Sequence, residues 1–185
     1  MKRALTSVLL MAASAALGFA QMQMPGGGKK APLSPPADTS VTIDGKAISI
    51  KYSAPSLRGR DVFAKGGVVS KDPTYPVWRA GANSATALHT DADLAIGDLA
   101  VPKGDYTLFV FLNDGKWQLV VNKQTGQWGL SYDKAQDLGR VPMNMSKPPA
   151  PVETYKMVLS SAGGNSGKLQ LEWADVVASV PFTVK

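Results

Sequence analysis

"YTLFVFL", residues 106–112, runs into "NDGK", 113–116, and then "WQLVVNK", 117–123. The first run is apolar at odd and even positions alike. That suits a central strand covered on both faces rather than one lying half in water. Asp114-Gly115 between two apolar runs is the strongest short-range signal for a tight hairpin. These eighteen residues therefore predict two antiparallel strands in the middle of a sheet.

Working outward, the same signals repeat. Ile48, Ile50 and Tyr52 alternate with Ser49 and Lys51, behind a turn at "DGK", 44–46, where Gly45 is free to take a positive φ. Leu169, Leu171 and Trp173 alternate with Lys168, Gln170 and Glu172, and Val176, Ala178, Val180, Phe182 and Val184 share one face. "AGGNSG", 162–167, separates that hairpin from a strand around Tyr155, Met157 and Leu159. No helical period is sustained, and one helical turn at "DKAQD", 133–137, is the most the pattern allows. The prediction is an all-β, antiparallel β-sandwich or barrel-like fold with little or no helix outside a leader.

The first 38 residues read differently. "MKRALTSVLLMAASAALGFAQ" starts with Lys2 and Arg3, continues apolar to Leu17, and ends in small residues. This is the pattern of a secretory signal peptide, 1–20, with cleavage after Ala20. The apolar run falls short of the ~20 residues that a spanning helix needs. Residues 21–38, rich in Pro, Gly and Lys, read as a flexible tether, and 39–185 as one domain. The expected address is periplasmic or extracellular, with no membrane span after cleavage.

Composition excludes several chemistries. With no cysteine there is no thiol catalysis, disulfide framework or lipid-modified N-terminal cysteine. The formal charge of +6 includes Lys2 and Arg3, and the remaining 18 cations against 14 acids are scattered. Scattered cations with no recognition motif argue against nucleic acid. A single histidine, His89, cannot gather the several ligands a transition metal needs, and "DAD", 91–93, is a polar turn rather than a calcium loop. "ANSAT" around Ser84 is not a nucleophile elbow, and Ser84 and His89 would face opposite ways on one strand. No catalytic residue, metal or cofactor is expected. A hydrolase would need an acid/base pair, shown by two carboxylates facing one cleft or by His89 within ~3 Å of a serine or carboxylate.

The densest candidates are "YSAPSLRGR", 52–60, and "VWRAGANSAT", 77–86. Arg58, Arg60 and Arg79 offer planar donor forks for anions, Asn83 offers an amide, and Trp78 and Trp128 offer stacking surfaces. These six residues form the expected binding surface for a carbohydrate or anionic small ligand. The structural alternative is as physical: Arg79 fans over a tryptophan ring and satisfies buried carbonyls, while Asn83 closes a turn. Trp128 is either a stacking platform or a plug at one end of the sandwich. An interaction or structural role in the envelope stays open beside ligand binding.

These blocks also carry a resemblance. "YSAPSLRGRDVF", "VWRAGANSAT", "VPKGDYTLFVF", "WQLVVNKQTGQWGLSYD" and "LEWADVVASVPFTV", in this order, resemble the bacterial secreted family catalogued as domain of unknown function 2911. The matching positions are Tyr52, Pro55, Gly59, Arg60, Trp78, Arg79, Gly81, Ala82, Asn83, Thr86, Gly104, Tyr106, Trp128 and Gly129. The resemblance implies an exported all-β domain and brings no activity with it. The loop "VVSKDPTYPV" before Trp78 is longer here than in the family pattern.

Overall fold

The computed structural model describes residues 32–185; the expected leader, 1–20, and tether residues 21–31 lie outside them. Two antiparallel sheets pack face to face. The first has the order β1 (Pro36–Ile43), β2 (Lys46–Ser53), β4 (Thr86–Thr90), β7 (Gly104–Phe111), β8 (Gln118–Asn122), β9 (Asp137–Pro142), and the short β3 (Val77–Trp78) also pairs with β7. The second has the order β11 (Val152–Gly163), β12 (Ser166–Ala174), β13 (Val176–Val184), β5 (Leu94–Ile96), β6 (Leu99–Val101), with β10 (Asn144–Ser146) beside β13. The only helical pieces among the described residues are 3-10 turns at Val69–Lys71 and Lys134–Gln136, the second inside "DKAQD".

Strand β7 is central, as its double-sided apolar pattern requires. Leu108 and Val110 face the main core, while Phe109 faces outward into a small second core with Val77, Val120 and Tyr132. The outer cluster exists because residues 123–136 fold back over this sheet. Opposite β7, the alternating sets Tyr155/Met157/Leu159, Leu169/Leu171/Trp173 and Ala178/Val180/Phe182 supply the other half of the core. Each such side chain contributes roughly 1.5–3 kcal/mol when fully buried, so the two layers hold without covalent staples.

The fold is a sandwich and not a closed barrel. At the β1/β11 seam the strands do not pair; side-chain hydroxyls finish the edge instead. The Met157 amide donates to Tyr52 Oη and the Leu159 amide to Thr39 Oγ1, both at 3.1 Å. Edge amides ended in this way offer no row for another chain to extend. Strand β1 starts at Pro36, three residues before the sequence pattern places the domain start. Proline is tolerated there because an edge position asks for no ladder amide.

Candidate functional site

The Trp78–Ala85 segment is an excursion between two strands that share one edge of β7. Trp78 pairs with Val110 and Thr86 with Leu108, so the chain leaves the sheet and returns two rungs later. Ala80 and Asn83 take positive φ values of 51° and 60°. The corner is tied down at several points, although the buried Arg79 Nε has no partner: Trp78 Nε1 donates to the Gly81 carbonyl at 3.2 Å, and Thr86 Oγ1 to the Ala80 carbonyl at 2.9 Å. The Gly129 amide donates to the Asn83 carbonyl at 3.0 Å. Gly129 must be glycine, because a Cβ there would stand 2.6 Å from that carbonyl and would overlap Arg79.

Trp78 is 2% exposed. Its ring stacks on Trp173 at 5.8 Å and meets Tyr155 and Phe63 edge-on at 5.1 and 5.5 Å. No face is left for a ligand. Arg79 does not fan over a tryptophan; its Nη2 meets Asp72 Oδ2 at 2.8 Å, with the side chains 12% and 20% exposed. Asp72 lies just beyond the 3-10 turn Val69–Lys71, so the ion pair bolts the long 68–77 loop to the corner. The cation–π contact is elsewhere, Arg140 over Phe111 at 4.9 Å.

The other expected residues are dispersed around the chain's own entry segment. Arg58 Nη2 donates to the Leu33 carbonyl at 2.8 Å, and Asn83 Nδ2 to the Ser34 carbonyl at 3.4 Å. Arg60 turns back on its loop, donating to the Leu57 and Ser56 carbonyls at 3.0 and 2.8 Å. It also borders a shallow groove of about 370 Å³ with Lys65 and Lys71. Trp128 stays 54% exposed, bridged through its backbone to Ser84. The six residues therefore do not converge on one pocket.

A different group of residues does converge. At one end of the sandwich a cleft of about 480 Å³ opens between the two sheets. Asp114 reaches it from the β7–β8 hairpin tip, Asp175 from the β12–β13 tip, and Asp61 from the loop after β2. Phe63 and Trp117 line its apolar side, and Tyr75, 51% exposed, is a further wall. Turn chemistry explains why aspartates sit at hairpin tips. It does not explain why, among the described residues, no lysine, arginine or histidine lines the same cleft. Asp61 caps its own loop by accepting from the Ala64 amide at 3.1 Å; Asp114 and Asp175 form no ion pair among the described residues.

A family model described as "Protein of unknown function (DUF2911)" matches residues 34–182. The chain belongs to that family. The match starts at Ser34, close to where the described chain joins the arginine corner, and ends in β13. No curated protein and no solved structure matches the chain. In this member of the DUF2911 family, most of the motif positions that carry the resemblance lie in or against the corner and its neighbouring loops, not in the acidic cleft.

His89 forms a second cluster, on the outer face of the first sheet. Its Nδ1 lies 2.8 Å from Asp105 Oδ1 and its Nε2 3.1 Å from Asp91 Oδ1. The bond to Asp105, then that to Asp91, raises the imidazole above its ordinary 6.5. In turn the imidazole, then the Ala47 amide, holds Asp91 below its ordinary value. Ser49 stands opposite His89 across the ladder, but both ring nitrogens are spent on carboxylates. Ser84 lies outside β4, bridged to Trp128. The geometry is that of an imidazolium clamp, without an activated nucleophile. Beyond it, Tyr132 Oη donates to Asp137 Oδ2 at 2.6 Å and accepts from Arg140 at 2.8 Å. Burial, then Asp137, pushes that phenol up to about 12.

Sequence reasoning missed the cleft because its acids are single residues in three separate turns, with no common spacing. The available signal was "NDGK" and "WADV": two hairpin tips with an aspartate each. Only the pairing of sheets brings them to the same end.

Proposed function

We propose that this chain is a non-catalytic binding module for a carbohydrate ligand met outside the cytoplasm, and that the ligand sits in the cleft between the two hairpin tips. One observation carries the reading: a cleft of about 480 Å³ combines aromatic rings with acceptor groups supplied by both sheets. Sugars lay their C–H faces on aromatic rings and donate hydroxyls to carboxylates and amides, and concave sites of this size suit them. Tyr75 is the stacking ring and Asn113 adds an amide beside Asp114. The leader pattern of residues 1–20 supports an exported protein. The Arg60/Lys65/Lys71 groove is the place for an anionic ligand in place of a neutral one.

A glycan array followed by calorimetric titration tests this. Tyr75→Ala is expected to weaken the best glycan at least tenfold, while Trp128→Ala leaves it unchanged. If no glycan binds below millimolar concentration, the reading fails.

A hydrolase acting on the same class of ligand is the second reading, favoured by three carboxylates bordering one cleft. Release of reducing sugar from a glycan that binds, abolished in Asp114→Asn or Asp175→Asn, would replace binding with hydrolysis.

A further inference from the structure

The loop after β2 folds into a small platform whose outer side is basic. Ala64 to Gly67 make a tight turn, closed by the Gly67 amide donating to the Ala64 carbonyl at 2.8 Å, with Gly66 at a φ of 83°. The Val68 and Val69 amides then donate back to the Asp61 and Val62 carbonyls, both at 3.0 Å. This fold-back requires Gly67, since a Cβ there would stand 2.9 Å from the Ala64 carbonyl oxygen and 3.0 Å from that of Asp61. Val62 and Val69, 1% and 3% exposed, root the platform in the main core. Backbone bonds and buried valines therefore hold the groove of about 370 Å³ in shape, and its charged side chains are not needed for that.

Arg60, Lys65 and Lys71 border the groove, and Asp61 is its one acid. Asp61 is already engaged, accepting from the Ala64 amide at 3.1 Å. Lys65 and Lys71 form no ion pair among the described residues. Arg60 is fixed through Nε and Nη2, which donate to the Leu57 and Ser56 carbonyls, and its Nη1 has no partner among the described residues. The backbone amides of Lys65 and Gly66 have no acceptor among them either. Three cations against one engaged acid concentrate anions from solution, and donors set in advance lose little freedom on binding one. A guanidinium beside two ammoniums suits the several oxygens and double charge of a phosphate better than a singly charged carboxylate.

Asp61 and Ala64 border the cleft as well as the groove, so one loop is the wall between an acidic opening and a basic one. Resting on the carbohydrate reading for its sugar alone, we propose that the ligand is a phosphorylated glycan whose phosphate monoester sits in the groove. Arg60 Nη1 and the Lys65 and Lys71 ammoniums donate to the phosphate oxygens, and the sugar crosses the wall at Ala64 towards the cleft. The aspartates of the cleft repel the phosphate, so the ligand is accepted in one direction only.

The test is calorimetric titration of the purified protein, at low and high salt, with glucose-6-phosphate, inorganic phosphate, glucuronate and glucose. Glucose-6-phosphate is expected to bind at least tenfold tighter than glucuronate, with an affinity that falls as salt rises. Inorganic phosphate binds at the same place more weakly. Lys65→Gln with Lys71→Gln lowers the affinity for both phosphates at least tenfold and leaves the melting temperature unchanged, since neither lysine has a partner to strand. Arg60→Lys keeps the charge, loses the planar fork and lowers the affinity several-fold. Glucuronate binding as tightly as glucose-6-phosphate overturns the phosphate preference, and binding that survives the double lysine variant overturns the groove as its place. Inorganic phosphate binding as tightly as the sugar phosphate overturns the sugar part. Failure of both phosphates at millimolar concentration, with a neutral glycan binding, overturns the inference alone. Failure of every neutral glycan, with inorganic phosphate binding as expected, overturns the carbohydrate reading and leaves the phosphate site standing.

Discussion

The tryptophan–arginine corner and the acidic cleft use the same kinds of residue to opposite ends. In the corner, Arg79 meets Asp72, the Trp78 indole N–H meets a carbonyl, and the rings close on one another. At the cleft rim, Asp114 and Asp175 face water with no cation opposite among the described residues. Partnered, buried groups hold a fold together because removing one leaves the other stranded. Unpartnered, exposed charges contribute little to stability and so are free to answer to something else. Chemical richness in a sequence marks both kinds of place and does not distinguish them.

The sharpest way to break this contrast is Arg79→Ala. It strands Asp72 and is expected to lower the unfolding free energy by about 3 kcal/mol, the low end for a buried pair because neither side chain is fully enclosed. An unchanged urea midpoint would mean that the corner is not structural.

Next comes Tyr132→Phe, which removes the hydroxyl shared by Asp137 and Arg140 and is expected to cost about 1–2 kcal/mol. The phenol also gives a pH test. Its folded value, about 12, exceeds its ordinary 10, so the unfolded chain releases the proton first. Stability therefore falls as pH rises from 10 towards 12, and Tyr132→Phe flattens that part of the curve.

His89 is partnered but half exposed, so its effect is smaller still. Its raised pKa means that the folded chain holds the proton more tightly. The stabilisation is complete below pH 6.5 and is lost as pH rises through the folded value. Proton-coupled shifts of the imidazole by NMR, with Asp105→Asn as control, measure it; a folded pKa at or below 6.5 would remove the clamp.

Smallest of all, Asp114→Asn and Asp175→Asn are expected to change stability by no more than about 0.5 kcal/mol each. A loss comparable to that of Arg79→Ala would make the cleft a second structural site.

The fold was largely legible in the sequence because its signals are local. A strand's period of two, the apolar run at 106–112, and the Asp-Gly and Gly-Asn turns depend on neighbours in the chain. Where the reading fell short, the missing information was long-range. At the seam where the two layers stay unpaired, Tyr52 and Thr39 reach amides 105 and 120 residues away. Strand β1 takes in Pro36 because that residue joins an edge strand whose partner is Ser53.

The candidate site was less legible. Arg58, Arg60, Trp78, Arg79, Asn83 and Trp128 are close in composition, but the tertiary structure sends them into the core, onto an ion pair, onto the entry segment and out to solvent. Asp61, Asp114 and Asp175 carry no motif at all, yet two sheets set them around one opening.

By itself, then, the order of residues determined which segments become strands and where they turn, since backbone propensity and side-chain alternation are properties of short stretches. Only the packing of one sheet on the other decided which polar groups found partners. Arg79 and Asp72 are only seven positions apart, yet whether they meet depends on how the 68–77 loop closes on the corner, and no local pattern of residue types records that.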